Sequence, residues 1–403
     1  MLYRPDAFEP LTDDEWDAGR VREAVRRIVA DADDAFDADE LWPADEWDAW
    51  ASPLPLKGLY VGAAGVIWAL DALRRRGHAE SRLDLAAAAR RTLEAWREKP
   101  DLPSGTELPA HAEASLLCGE TGILAVAWRL APSDELAENL FARVRENVSN
   151  ETNELMWGAP GTMLAARAML DWTGEERWAD AWRESARELL RSRGQDGLWT
   201  QRLSGRLNRH LGPAHGLVGN VVALLRGGDL LELERRRALE RETAAVLART
   251  AVVDGELANW PARDGLGLVA PDGQIRVQWC HGAPGIVTSA AAYLDAGLLL
   301  AGGNLTWRAG PLGLDDKGPG LCHGTAGNGY AFLKLFERTG DELWLERARR
   351  FAVHALDQVE RARARRGRGR HSLWTGDVGV ALYAADCADG RSAYPILDTW
   401  DWV

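Results

Sequence analysis

Two near-copies of one short stretch carry the residues best suited to chemistry: Trp279-Cys280-His281-Gly282-Ala283-Pro284-Gly285 and Leu321-Cys322-His323-Gly324-Thr325-Ala326-Gly327. Each sets a Cys-His pair directly ahead of a G-x-x-G, and each G-x-x-G runs into an apolar segment with helical character. Glycine permits a tight turn and a close backbone approach, which would put the Cys and His at a helix mouth. Two thiols and two imidazoles in register are a ligand set for a soft divalent metal, with zinc the default. A catalytic zinc has three protein ligands and one open position. Cys280, Cys322 and His323 are the leading three, which leaves His281 as an orienting or proton-handling neighbour. The competing reading makes both cysteines buried small hydrophobes. It leaves the duplication of Cys, His and both glycines without a cause.

Two thiolate ligands make a site electron-rich, which suits activation of a bound thiol better than hydrolysis. The expected chemistry is therefore thiol addition or alkylation. His215, in Pro213-Ala214-His215-Gly216, lies off the Cys-bearing turns. It is a better acid/base candidate than a ligand.

The elements that must position these residues are repeated. G-x-x-G turns begin at Gly62, Gly119, Gly158, Gly216, Gly282, Gly324 and Gly376, at intervals of 39 to 66 residues. Internal repetition on this scale marks one supersecondary unit used many times. After each turn comes an apolar segment such as Ile123-Leu124-Ala125-Val126-Ala127-Trp128, which reads as a helix buried on all sides. An amphipathic helix then follows. Trp178, Trp182, Ala186 and Leu189 fall at helical spacing with Arg and Glu between them, so one stripe faces inward.

Seven buried helices alternating with seven amphipathic ones predict an all-α fold, a seven-fold α/α toroid with all the turns at one end. An open solenoid fits the repetition too, but its repeats are usually shorter and more even. Residues 1–403 then form one domain, with residues 1–50 an acidic lead-in carrying one helix near Arg20–Asp34. The short Trp-containing pieces at 197–199, 258–260 and 305–307 read as brief strands or loops. If the turns share a centre, the residues just before each G-x-x-G face it: Val61, Cys118, Trp157, His215, His281, His323 and Thr375.

Composition narrows the function classes. Apolar residues make up 46% and charged residues 27%, as in a soluble globular protein. Net charge is −13, which argues against nucleic acid as a general partner. No membrane span and no signal-peptide pattern is read, so the cytoplasm is expected. Four cysteines, two of them in the paired motif, favour metal or thiol chemistry over a disulfide framework. The run Arg361 to Arg370, with six arginines, reads as a solvated loop rather than a docking patch.

Along nearly its whole length the chain resembles the lanthionine synthetase C-like proteins. The blocks that carry the resemblance are 117–122, 153–158, 212–217, 279–285 and 317–324. The pattern is closer to free-standing eukaryotic-type members than to the bacterial lantibiotic cyclases, as are Arg4 near Phe8-Glu9-Pro10 and Ser372-Leu373-Trp374. The resemblance implies an α/α toroid with zinc on Cys280, Cys322 and His323. It implies addition of a thiol to a dehydroalanine or dehydrobutyrine residue of a peptide or protein, giving a thioether. In free-standing members the thiol is glutathione. His215 matches the proton-handling histidine, and Glu154 stands where cyclases have an acid/base Asp. Lys317, with Arg4 as a second cation, would hold glutathione. Thr375 departs from the pattern, which expects an acidic residue there. Two further readings remain: a cyclase of a ribosomal peptide, and a non-catalytic zinc- and glutathione-binding interaction protein. Protein prenyltransferases fit less well, because their zinc ligands include an Asp. A glycan-processing toroid would need paired carboxylates at the turns.

Overall fold

The computed structural model describes residues 2–105, 107–264, 275–313 and 317–400. In chain order the helices are α1 (Ala18–Ala35), α2 (Glu46–Ala49), α3 (Ala63–Arg75), α4 (Leu85–Glu98), α5 (Glu120–Leu130), α6 (Asp134–Glu146), α7 (Ala159–Thr173) and α8 (Glu176–Arg191). They continue as α9 (Leu217–Leu225), α10 (Leu233–Thr250), α11 (Ala283–Ala290), α12 (Ala296–Ala309), α13 (Thr325–Thr339), α14 (Glu342–Arg366) and α15 (Asp377–Asp389). Two antiparallel hairpins interrupt them: β1 (Gln201–Leu203) with β2 (Arg206–Asn208), and β3 (Val252–Asp254) with β4 (Leu257–Asn259).

The odd-numbered helices from α3 to α15 form the inner ring. Each packs on the next, and α15 packs on α3 to close it. All seven begin directly after the first glycine of a G-x-x-G turn, as expected. These helices are apolar nearly all round and buried; in α9 every residue from Leu217 to Leu224 is buried. Each fully buried Leu or Val contributes about 1.5–3 kcal/mol, so the inner ring supplies much of the core.

The glycines have a steric cause. At the second glycine of all seven turns, a Cβ would overlap the carbonyl oxygen of the residue six positions earlier, from Leu59 under Gly65 to Leu373 under Gly379. Close approach, not unusual dihedrals, is the requirement there. Among the first glycines only Gly282 has a positive φ, of 115°. The chain folds back so tightly that it caps its own helices. Ala63 donates to the Leu56 carbonyl, Leu217 to His210, Ala326 to Pro319 and Asp377 to Arg370. Those amides are among the orphan donors of a helix start. Backbone takes them up at these four turns, whereas at the Cys280 turn the Ala283 amide donates to Asn259 Oδ1 at 2.7 Å.

The outer helices use ordinary caps: Asp17, Asp84, Ser133, Asp295 and Asp341 each accept from an amide of the first turn. In α8 the stripe Trp178, Trp182, Ala186 and Leu189 is buried as read from its spacing. Six outer helices follow their inner partners in sequence. The seventh is α1, which packs against α15. The lead-in helix thus completes the outer layer at the seam.

Two details differ from expectation. Residues 305–307 lie inside α12, not in a strand or loop. Gly302 and Gly303 look like a break in sequence, but a Cβ on them would strike Val287 and Leu335, so they let α12 sit close to the inner ring. The arginine run is not a solvated loop either. Arg361 pairs with Glu9, Arg363 with Asp31, Arg366 with Asp45, and buried Arg370 with Asp48 at 2.5 Å. Arg368 donates to the Ala44 carbonyl. The run fastens residues 9–48 across the seam. Among the described residues, no helix is long and apolar enough to cross a membrane.

Candidate active site

The inner-ring turns join edge to edge. The Cys280 amide donates to the Cys322 carbonyl, Cys322 to Trp374, Trp374 to Tyr60, and Tyr60 to Leu117, at 2.7–3.2 Å. Each of these residues stands two positions before the first glycine of its turn, so one backbone belt runs through five consecutive repeats. Beneath it Trp279 stacks on Tyr394 at 4.8 Å and leans on Trp374 at 5.1 Å, filling the ring. Above it lies a cavity of about 980 Å³. Val61, Cys118, Trp157, His215, His281 and His323 line it as expected, whereas Thr375 turns away and bonds to Asp48.

The belt puts Cys280 and Cys322 side by side. Their sulfurs and a ring nitrogen of His323 lie within 4.8 Å of one another. Both cysteines are buried, and His323 Nδ1 is buried with no protein partner. The Cys322 thiol bonding to its sulfur, with positive charge from His215 and Arg276, holds the Cys280 thiol below its ordinary range. Burial, more than the neighbouring cations, pushes His323 down to about 3, so its imidazole is neutral. Two soft sulfurs, one easily ionised, and a neutral imidazole suit zinc, and these three residues would hold it beside the cavity. Cys118 also faces the cavity, but burial pushes its thiol up and it joins no such cluster.

His215 Nδ1 donates to Glu154 Oε2 at 2.7 Å. Glu154 is fully buried and also accepts the amides of Met156 at 3.0 Å and Trp157 at 2.7 Å. It does not line the cavity; it orients His215. Burial alone would lower the His215 pKa, but the Glu154 bond and charge raise it above the ordinary value. His281 stacks at 6.0 Å from His215, and burial keeps it neutral, well below its ordinary range. The cavity therefore holds one imidazole favoured as a cation beside one held as a base.

Sequence reasoning missed His210. It lines the cavity 5.4 Å from His281 and 6.0 Å from His215, with burial driving it down to about 3. Its position in the same seven-residue fold-back as His215 was the available signal. It also missed α2, whose Trp47 meets the His323 ring edge-on at 5.3 Å. Nothing in the local sequence marked that contact. Lys317 is half-buried, and its positive charge acts on Cys280 and His323. Arg4 is exposed, pairs with Asp6 at 3.0 Å and does not line the cavity.

The sequence profile of the lanthionine synthetase C-like proteins matches residues 52–399. The chain belongs to that family. Among its relatives is a zebrafish (Danio rerio) protein named glutathione S-transferase LANCL1. It is 27% identical over 70% of this chain and 74% of its own length. LanC-like protein GCL1 of Arabidopsis thaliana is 38% identical over a shorter stretch, 21% of each chain. The structure of nisin cyclase superposes with a TM-score of 0.60 over 91% of this chain and 94% of that one, at 16% identity. That likeness establishes a shared helical toroid for this lanthionine synthetase C-like protein.

Proposed function

We propose that the protein adds a thiol, glutathione, to dehydroalanine or dehydrobutyrine residues of peptides or proteins, with zinc on Cys280, Cys322 and His323. The observation that carries this reading is the meeting, in one cavity, of a thiol-thiol-imidazole cluster and a carboxylate-clamped histidine. The name of the LANCL1 relative supports glutathione as the thiol. Four free cysteines fit a reducing compartment and favour the cytoplasm.

When bound, zinc would supply the Lewis acidity that lets a thiol lose its proton near neutral pH. The chain's own residues do the rest. Neutral His281 accepts the thiol proton. The sulfur then bonds to the β-carbon, and the alkene pair moves through the α-carbon onto the carbonyl oxygen as an enolate. His215, favoured as an imidazolium by Glu154, stabilises that charge and delivers a proton to the α-carbon. Nothing leaves and nothing is oxidised. Trp47 and Trp157 give the cavity apolar walls beside these residues.

The test is direct: incubate the purified protein with glutathione and a dehydroalanine peptide and weigh the product. A mass increase of one glutathione, dependent on Cys322 and His215, supports the reading. No adduct with any thiol removes it. A cyclic product from a peptide carrying both cysteine and dehydroalanine, with no glutathione adduct, would point to the cyclase instead.

A further inference from the structure

The cations of the cavity are not spread evenly. Arg206 lines it from β2, Arg263 from the segment after β4, and Arg276 from the segment entering the Cys280 turn. Four carboxylates also line it: Asp48, engaged by Arg370; Asp101, engaged by the amides of Lys57 and Gly58; Glu46; and Glu107, which lies against the β1–β2 hairpin. In a chain with 61 acidic and 48 basic residues, most arginines find a carboxylate. None of these three pairs with one among the described residues. Arg263 is partly used, since it donates to Asn208 Oδ1 at 2.8 Å. Arg206 lies out on β2, in the hairpin away from the cysteines.

Arg276 is different in place. Its carbonyl packs against Gly282 and accepts from Asn259 Nδ2, so its side chain leaves from the fold-back that carries Cys280 and His281. It is exposed to the cavity, and its charge acts on Cys280, His281 and His323 together. Lys317, half-buried and five residues before Cys322, does not line the cavity, although its charge, like that of His215, acts on Cys280 and His323. A thiol whose sulfur reaches the Cys280–Cys322–His323 cluster therefore shares its cavity with the Arg276 guanidinium, which leaves the segment leading into the Cys280 turn. Glutathione carries two carboxylates flanking its thiol. Arg4, the second cation implied by family resemblance, lies outside the cavity.

We propose that Arg276 is a carboxylate-binding cation of the thiol site, so that the site selects an anionic thiol peptide. This rests on the thiol-addition reading above and assigns its substrate recognition to a residue of the chain. A guanidinium offers paired donors to a carboxylate, which gives geometry as well as charge. The arginine thus orients the sulfur without touching the reacting atoms.

The experiment compares glutathione with glutathione diethyl ester, which has the same thiol and no free carboxylate. Arg276→Gln should raise KM for glutathione roughly tenfold with kcat little changed. KM for the diester should rise far less than KM for glutathione, any change through Cys280 being common to both thiols, and Arg276→Lys should recover part of the loss. Binding of S-methylglutathione, followed by calorimetry, separates the subsite from the chemistry. If the wild type binds it and Arg276→Gln weakens it roughly tenfold, the subsite stands even where no adduct forms. An unchanged affinity, no binding by the wild type, or an equal loss for glutathione and the diester overturns it. Metal content of each variant is measured alongside, and a fall with Arg276→Gln also overturns it, because the residue would then serve the cluster.

Discussion

Glu154→Gln is the most informative single change, because it keeps size and removes one charge from a fully buried position. In the native protein the carboxylate takes three donors: His215 Nδ1, the Met156 amide and the Trp157 amide. Glutamine has one oxygen for three donors, and its NH₂ group must face at least one of them. A hydrogen bond to a charged partner contributes about 1.5–3 kcal/mol against about 0.5–1.5 for a neutral one. The imidazolium therefore loses about 1–1.5 kcal/mol of support, which is about one pKa unit. His215 is now raised by Glu154 against the opposing effect of burial. Without the charge, burial prevails and the value falls.

The sign of the activity change follows from the role. If His215 delivers a proton, turnover falls as pH rises through its pKa, and the variant's fall comes about one unit earlier. The rate should be about tenfold lower in the window above the native pKa, and the gap should narrow on the acid side. Initial rates of adduct formation between about pH 5.5 and pH 9, with the His215 ring followed by NMR, measure both. A uniform loss at every pH, or a His215 titration that does not move, would refute the argument.

Three further outcomes are expected. Cys322→Ala should lose its zinc and at least about 2 kcal/mol of stability; full metal content by elemental analysis would remove Cys322 from the ligand set. Gly379→Ala places a Cβ on the Leu373 carbonyl and should cost about 3 kcal/mol or more. Gly174→Ala, at φ 68° with open space around it, should cost only about 1–2 kcal/mol, and equal melting of the two would defeat the steric account. Arg370→Gln leaves Asp48 buried without its guanidinium and should cost about 3–5 kcal/mol in denaturant unfolding. A change under 1 kcal/mol, well inside that, would mean the arginine run does not fasten the seam.

The sequence alone determined the repeated unit. A turn whose second glycine must pass against a carbonyl tolerates no other residue, so the seven glycine pairs had to appear at fixed places. The apolar stretch after each turn followed, because a helix walled in on all sides has no face for charge. The thiol-thiol-imidazole cluster that could hold a metal was legible for the same reason. Cys280 and Cys322 hold one register position in successive repeats, and register survives folding.

What lay between repeats was decided only by tertiary structure. The belt that sets Cys280 beside Cys322 is made of backbone groups, which every residue has and no sequence distinguishes. Glu154 reaches His215 across 61 positions and two turns, a pairing set by the curvature of the ring. Helix α1 packs against α15, the last inner helix, so an element from the other end of the chain completes the outer layer there. The arginines of 361–370 look like a solvated run until that closure brings Glu9, Asp31, Asp45 and Asp48 against them. Arg276 and Arg4 are both single cations in sequence. Their difference is only where the folded chain leaves them: one in the cavity beside the cysteines, the other in water beside Asp6.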